Sequence, residues 1–251
     1  MLPIQLQSVQ LGKFERNGFL IVPDLVTQKE IETFLQHEED PATQDLRQGL
    51  RTHLSDPYWH NLANHPNIAG IARQLLGGLP RIVQTMYLPK KPANPNQEMG
   101  DPGISLHQDS HYLPNEPDTL LACWIALNDT DSENGGLCVV PGSHKDNLRE
   151  TTLNTDPEHV SWEVEYEMGS RNGKKWKEKL YSFGIVGIDK EDLLHLTVPS
   201  GGGVFFTSKT VHGSYANWSK SRPRLAFAVH YVKEGTWVFR TDVQETTPVN
   251  L

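Results

Sequence analysis

Ser221-Arg222-Pro223-Arg224-Leu225-Ala226-Phe227-Ala228-Val229-His230 alternates strictly between two kinds of residue. In a strand, side chains alternate between faces. Arg224, Ala226, Ala228 and His230 therefore share one face, and Leu225, Phe227, Val229 and Tyr231 share the other. The first face is small and polar, as a ligand cavity requires, and the second is bulky, as a core requires. A strand of this kind belongs to a sheet with a hollow on one side.

Working outward, Arg81 to Leu88, Leu120 to Asn128, Leu137 to Val140, Val204 to Thr207 and Leu225 to Val232 are further short runs rich in β-branched and aromatic residues. Turn signals such as Glu133-Asn134-Gly135-Gly136 and Pro141-Gly142-Ser143 separate them. Upstream, residues 18–26 read as a short buried strand and turn. A capping box follows, with Thr27 as N-cap and Glu30 three residues on, and Ile31, Phe34 and Leu35 form one helix face. A second helix is expected from Pro66 to Leu76, closed by Gly77. Helices between 27 and 77 leading into many strands, without βαβ alternation, predict a mainly β chain: an antiparallel double-sheet barrel with flanking helices. The Pro-, Asn- and Gly-rich segment 89–103 and the long charged segment 145–195 read as loops over the barrel, in the position of lids. No linker divides the chain, so one domain over residues 1–251 is expected.

The 251 residues carry 31 acidic and 23 basic side chains, a formal charge of −8. That excess of acid disfavours nucleic acid and anionic membrane surfaces as partners. No apolar run reaches the roughly 18 residues of a membrane span. The N-terminal stretch does not read as a secretory signal, and Val249-Asn250-Leu251 is not a peroxisomal address. Two cysteines, Cys123 and Cys138, make no disulfide framework, so a cytoplasmic location is expected. The sequence leaves oligomeric state open.

Eleven histidines direct attention to metal. His107-Gln108-Asp109 would put an imidazole and a carboxylate on one face of a strand, two of the three ligands of a facial triad for non-haem iron. About 0.6 His-x-Asp pairs are expected by chance at this composition, and His144-Lys145-Asp146 is a second one, so context must decide. His144 follows a turn and precedes polar chain; His107 precedes the strongest strand candidate. His111 shares the parity of His107 and Asp109 and reads as a pocket residue rather than a third ligand. His212, in Thr210-Val211-His212-Gly213-Ser214, stands just after a strand and beside a glycine that permits close approach. A guanidinium at the cavity mouth would hold a dicarboxylate by paired hydrogen bonds, and parity admits both Arg222 and Arg224. The Lys174-to-Lys179 cluster with Trp176 reads either as a contact for an anionic substrate or as a solvated face.

The order and spacing of these blocks resemble the phytanoyl-CoA dioxygenase family of Fe(II)- and 2-oxoglutarate-dependent oxygenases. The likeness runs through Asn17-Gly18-Phe19-Leu20-Ile21-Val22-Pro23, Gln84-Thr85-Met86-Tyr87 and Leu106-His107-Gln108-Asp109-Ser110-His111-Tyr112-Leu113-Pro114. It continues through Trp124-Ile125-Ala126-Leu127, Asn134-Gly135-Gly136-Leu137, Val140-Pro141-Gly142-Ser143-His144-Lys145, and His212-Gly213-Ser214 with Arg224. The resemblance implies a double-stranded β-helix, a jelly-roll or cupin-like barrel. It implies His107, Asp109 and His212 as iron ligands, and Arg224 with Ser214 on the distal carboxylate of 2-oxoglutarate. Met86 and Trp124 would line the co-substrate pocket, joined by Gln84 on the same parity as Met86. It implies a hydroxylase that consumes O2 and releases succinate and CO2, acting on a small molecule such as an intermediate of secondary metabolism. Because Asp109 is present, oxygenation is favoured over halogenation. Two other readings remain at this level: a zinc-dependent hydrolase or isomerase, and a ligand-binding barrel without catalysis.

Overall fold

A computed structural model describes residues 3–46 and 49–250. Four α-helices lie in the first third of the chain: α1 (Ser8–Asn17), α2 (Gln28–Glu39), α3 (Pro57–Ala63) and α4 (Pro66–Leu76). The Thr27 side chain accepts a hydrogen bond from the Glu30 backbone, and the Glu30 carboxylate accepts one from Thr27 N–H at 2.8 Å, the expected reciprocal cap of α2. Pro66 opens α4, and Gly77, at φ 59°, closes it in the left-handed region. The sequence reading did not anticipate α1 or α3. Helix α1 buries no residue, so it carries no clear apolar stripe, and α3 has only seven residues, started by the Asp56 carboxylate.

The main sheet has six strands in the order β1 (Phe19–Val22), β12 (Gly203–Thr207), β5 (Leu121–Ala126), β14 (Ala226–Lys233), β2 (Pro80–Tyr87) and β16 (Thr247–Pro248). A second sheet runs β11 (Leu194–His195), β6 (Leu137–Val139), β13 (His212–Ser214) and β3 (Ile104–His107). Three two-stranded pairs complete the set: β7 (Thr151–Leu153) with β10 (Phe183–Ile185), β8 (Glu163–Gly169) with β9 (Lys175–Tyr181), and β4 (Asn115–Glu116) with β15 (Trp237–Val238). Neighbours within both larger sheets pair antiparallel. Neither sheet closes on itself, so the expected barrel is a two-sheet jelly roll with an open mouth.

Alternation decides what each face touches. Phe205 of β12, Cys123 and Ile125 of β5, and Phe227, Val229 and Tyr231 of β14 pack on Ile31, Phe34, Trp59, Ile68 and Ile71 of the helices. Their neighbours Val204, Phe206, Ala122, Trp124, Ala226 and Ala228 turn inward, toward Leu137 and Val139 of the second sheet. Strand β2 carries one extra residue: His230 pairs with Gln84 and Tyr231 with Ile82, so the ladder skips Val83.

Segment 89–103 contains no ladder strand but is pinned by backbone hydrogen bonds, such as Ala93 N–H to Ser219 O and Gly100 N–H to Asn217 O. Segment 145–195 is not one loop; it supplies β7 to β11. Its charge concealed the strands. Glu163, Glu165 and Glu167 pair with Lys179, Lys177 and Lys175 at 2.9, 2.6 and 2.9 Å along the outer face of the β8–β9 hairpin. On the inner face Met168 and Leu180 are buried.

Phe227 meets Phe34 and Trp59 edge-on, with ring centroids 5.4 Å away in each case. Phe227→Ala is expected to cost about 3–5 kcal/mol of stability, read from urea unfolding. His53 is buried between Thr85 and Thr247, its ring nitrogens 3.1 and 3.3 Å from the two hydroxyls. Burial, then the charges of Arg51 and His60, lower its pKa to about 4 from 6.5. The folded state thus excludes a proton that the unfolded chain takes up. Stability should fall as pH drops from 6.5 toward 4, and the drop in urea midpoint across that range should shrink in His53→Asn.

Candidate functional site

His107 ends β3 and His212 begins β13, and the two stand opposite each other in the ladder, with ring centroids 4.2 Å apart. The register slips between His107 and Ile104, and the Ser105 carbonyl in that slipped stretch accepts a hydrogen bond from His107 Nδ1 at 2.8 Å. His212 Nδ1 likewise donates to Thr210 O at 2.9 Å. With both Nδ1 atoms so engaged, both Nε2 lone pairs are free, and they converge on Asp109 Oδ1 at 3.5 and 3.7 Å. The ligand atoms of His107, Asp109 and His212 all lie within 4.8 Å of one another.

Asp109 itself is not in a strand. Gln108 keeps extended geometry (φ −121°, ψ 129°), which carries the alternation one residue past β3, and Asp109 then opens a 3-10 turn through His111. The turn breaks the parity on which the reading of His111 rested. The His111 ring packs 5.6 Å from Phe183 and is not among the residues lining the cavity. Gln108 is fully buried and ties the turn down, donating to Lys209 O at 2.7 Å and accepting from Arg149 N–H at 2.8 Å.

The other Asp109 oxygen is held from behind. His230 Nε2 lies 3.1 Å from Asp109 Oδ2, and Gln84 Nε2 lies 3.4 Å from His230 Nδ1. Gln84 therefore donates to Nδ1, which fixes the proton of His230 on Nε2, facing the carboxylate. Burial works to raise the Asp109 carboxyl; the imidazoles of His212 and His230 outweigh it and hold it well below the usual carboxylate range. Burial, aided by nearby His107, lowers His212 to about 4, leaving the neutral imidazole that a metal needs.

The same cavity is lined by Arg224, 2% exposed, with neither Nε nor Nη1 hydrogen-bonded. Its guanidinium sits 5.7 Å from the Trp124 ring. Burial lowers its pKa to about 10, so it stays charged at neutral pH. A buried guanidinium with two idle donors is a receptor for an anion. The alternative, Arg222, is already committed to Asp131 at 2.9 and 3.0 Å and to Glu133 at 2.8 Å. Lys90, which bridges Arg224 through the backbone, is buried, and its ammonium donates to Ser214 Oγ at 2.9 Å. Burial first, and then Arg224, lower Lys90 to about 6.

One cavity of about 310 Å3 brings together His107, Asp109, His212, Arg224, Ser214, Met86, Gln84 and Trp124. It excludes Trp176, whose ring lies on the β8–β9 hairpin 6.1 Å from Phe239. The lysines beside Trp176 are exposed and paired with glutamates, so that cluster is a solvated face. His144 belongs to a surface turn, bonded to Glu15 O at 3.1 Å. Sequence reasoning assigned no role to Lys90 or His230, nor to Tyr112, Trp162, Tyr166 and Arg240, which line the outer half. The parity of His230 with Arg224 was a usable signal; nothing local marked the others.

The family model for phytanoyl-CoA dioxygenase (PhyH) matches residues 14–226. An ectoine dioxygenase of Halomonas elongata is 28% identical, over 90% of this chain and 70% of its own length. The peroxisomal phytanoyl-CoA dioxygenase of Rattus norvegicus is 28% identical, over 89% of this chain and 68% of its own. Among solved structures, the epimerase SnoN in complex with Fe3+, alpha ketoglutarate and nogalamycin RO superposes with a TM-score of 0.69 at 20% identity, covering 97% of this chain and 95% of that one. EctD from S. alaskensis with 2-oxoglutarate and 5-hydroxyectoine gives 0.63 at 19% identity, covering 91% and 76%. These two likenesses bear on the fold; the matched family model bears on descent. The chain belongs to the phytanoyl-CoA dioxygenase family of Fe(II)- and 2-oxoglutarate-dependent oxygenases.

Proposed function

We propose that this chain hydroxylates a C–H bond of a small-molecule metabolite, with His107, Asp109 and His212 as its iron ligands and Arg224 as the anchor of 2-oxoglutarate. The observation that carries the assignment is the convergence of two backbone-tethered imidazoles on one carboxylate oxygen. Two neutral imidazoles and one carboxylate suit Fe(II) and leave positions open for co-substrate and O2. Bound there, iron with 2-oxoglutarate and O2 supplies an oxidant for an unactivated C–H and releases succinate and CO2.

The chain's own groups do the positioning. His230 occupies Asp109 Oδ2, which leaves Oδ1 as the oxygen that would meet a metal. The Arg224 guanidinium, with Nε and Nη1 unpartnered, would take the distal carboxylate. Lys90 donates to Ser214 Oγ, which leaves the Ser214 proton free to donate to the same carboxylate. Trp124 and Met86 wall the co-substrate, and Gln84 acts through His230. The unpaired Arg224 has no task in a zinc hydrolase, and a complete ligand set has none in a barrel without catalysis. Asp109 fills the position that a halide would need. One catalytic domain over 1–251, working in the cytoplasm with segments 89–103 and 145–195 as covers, completes the proposal. No helix among the described residues is long and apolar enough to cross a membrane.

Anaerobic titration of apo-protein with Fe(II) and then 2-oxoglutarate tests the reading. A weak visible charge-transfer band should require both additions and vanish in Asp109→Ala and His212→Ala; iron uptake without a band would remove Arg224 from the site. Lys90 sets a pH dependence. It needs a proton to oppose a dianion, and its free-state value near 6 means that binding draws one in. Affinity for 2-oxoglutarate should therefore fall as pH rises above 6. Lys90→Met should flatten that slope and weaken binding about 10-fold or more at pH 6, as expected for loss of a charge-assisted bond.

A further inference from the structure

The outer half of the cavity is built of rings. The Tyr112 ring has His107 at 5.5 Å, Trp162 at 5.4 Å and Phe183 stacked on it at 5.0 Å, and Tyr166 of β8 joins Tyr112 and Trp162 in the lining. Leu50, Leu113 and Val160 fill between them. Among the described residues, three side chains with formal charge line the cavity: Asp109, Arg224 and Arg240. The first two belong to the metal and co-substrate end. Arg240 is 4% exposed and fully committed. Its Nε and Nη2 donate to Asp242 at 3.1 and 2.6 Å, its Nη1 to Tyr112 O at 3.4 Å, and its guanidinium lies 3.8 Å from the Tyr166 ring centre.

No charge is thus left over for the substrate. A carboxylate, phosphate or ammonium group in the outer chamber would be desolvated against rings and aliphatic carbon without a counter-ion. Tyr112, Trp162 and Tyr166, by contrast, line the chamber with ring surface; Phe183 already stacks on Tyr112 at 5.0 Å and Arg240 lies over Tyr166, so a planar group would meet the ring surface that those two contacts leave. Taking the iron and 2-oxoglutarate assignment above as given, we propose that the group this chamber accepts is uncharged and planar, an aromatic or fused-ring moiety recognised by stacking. The Arg240–Asp242 pair keeps the chamber neutral.

The test compares three naphthalenes of nearly equal shape: naphthalene-2-carboxamide, 2-naphthoate and 2-naphthylmethylammonium. Each is titrated by anaerobic calorimetry into the Fe(II) complex under saturating 2-oxoglutarate, with the charge-transfer band monitored in parallel. The carboxamide should bind at least 10-fold tighter than either ion. Trp162→Ala should weaken it at least 10-fold and Trp162→Phe should restore most of the loss, the band being unchanged in both. Asp242 is half-exposed, so Asp242→Asn leaves the fold in place while freeing the Arg240 charge; affinity for 2-naphthoate should then rise about 10-fold. Equal or tighter binding of either ion to the wild type overturns the proposal. So does a carboxamide that fails to bind a complex whose band is intact, or an Asp242→Asn variant that leaves naphthoate binding unchanged. Absence of the band in the wild type instead overturns the iron and co-substrate assignment, and the proposal with it.

Discussion

Small side chains at paired positions hold this molecule open. Ala228 of β14 stands between Trp124 of β5 and Met86 of β2, Ala226 pairs with Ala126, and His230 lies between Ala122 and Gln84. On the opposite face of the same strands, Phe227, Val229 and Tyr231 are packed solid against the helices. One alternation therefore makes a close-packed layer on one side and a hollow on the other. The second sheet then needs only to bring His107 and His212 across that hollow. The main sheet supplies Arg224 and His230 from the same inner face of its chain.

The alternation was legible in residues 221–231 because period two survives in a plain string, and so was the capping box at Thr27. The His-x-Asp pair was legible for a reason that holds only in part. Extended geometry at Gln108 preserves parity as far as Asp109, and the 3-10 turn beyond it sends His111 out of the site. The β8–β9 hairpin was hidden because six of its outward residues, Glu163, Glu165, Glu167, Lys175, Lys177 and Lys179, are ionic, which reads as loop when the inner face is short. Lys90 was invisible for a different cause. Its meaning comes from Ser214 and Arg224, more than 120 residues away, and only the ladder brings them together.

Burial of charge organises the site more than burial of carbon does. Asp109 is kept ionised inside a protein interior by imidazoles on three strands, while Arg224 lines the cavity with two nitrogens unpartnered and Lys90 is buried behind Ser214 with no carboxylate bonded to it. Such an arrangement costs stability as it stands. Arg222, two residues away, is paired on the surface and contributes nothing to this balance. Two arginines of equal parity thus differ wholly in role, because one has found its acids within the fold and the other has not.

The ion pairs of the hairpin lie entirely in water, where each holds its strand partner but adds little to docking. What seats the hairpin is on its underside: Met168, Leu180, the Tyr166 ring on Arg240, and two backbone bonds from β8 to residues 239 and 241. The contact of the Tyr166 ring with Arg240 thus both seats the hairpin and forms part of the cavity wall. A change at Tyr166 or Arg240 therefore alters the seating of the hairpin and the wall of the cavity together.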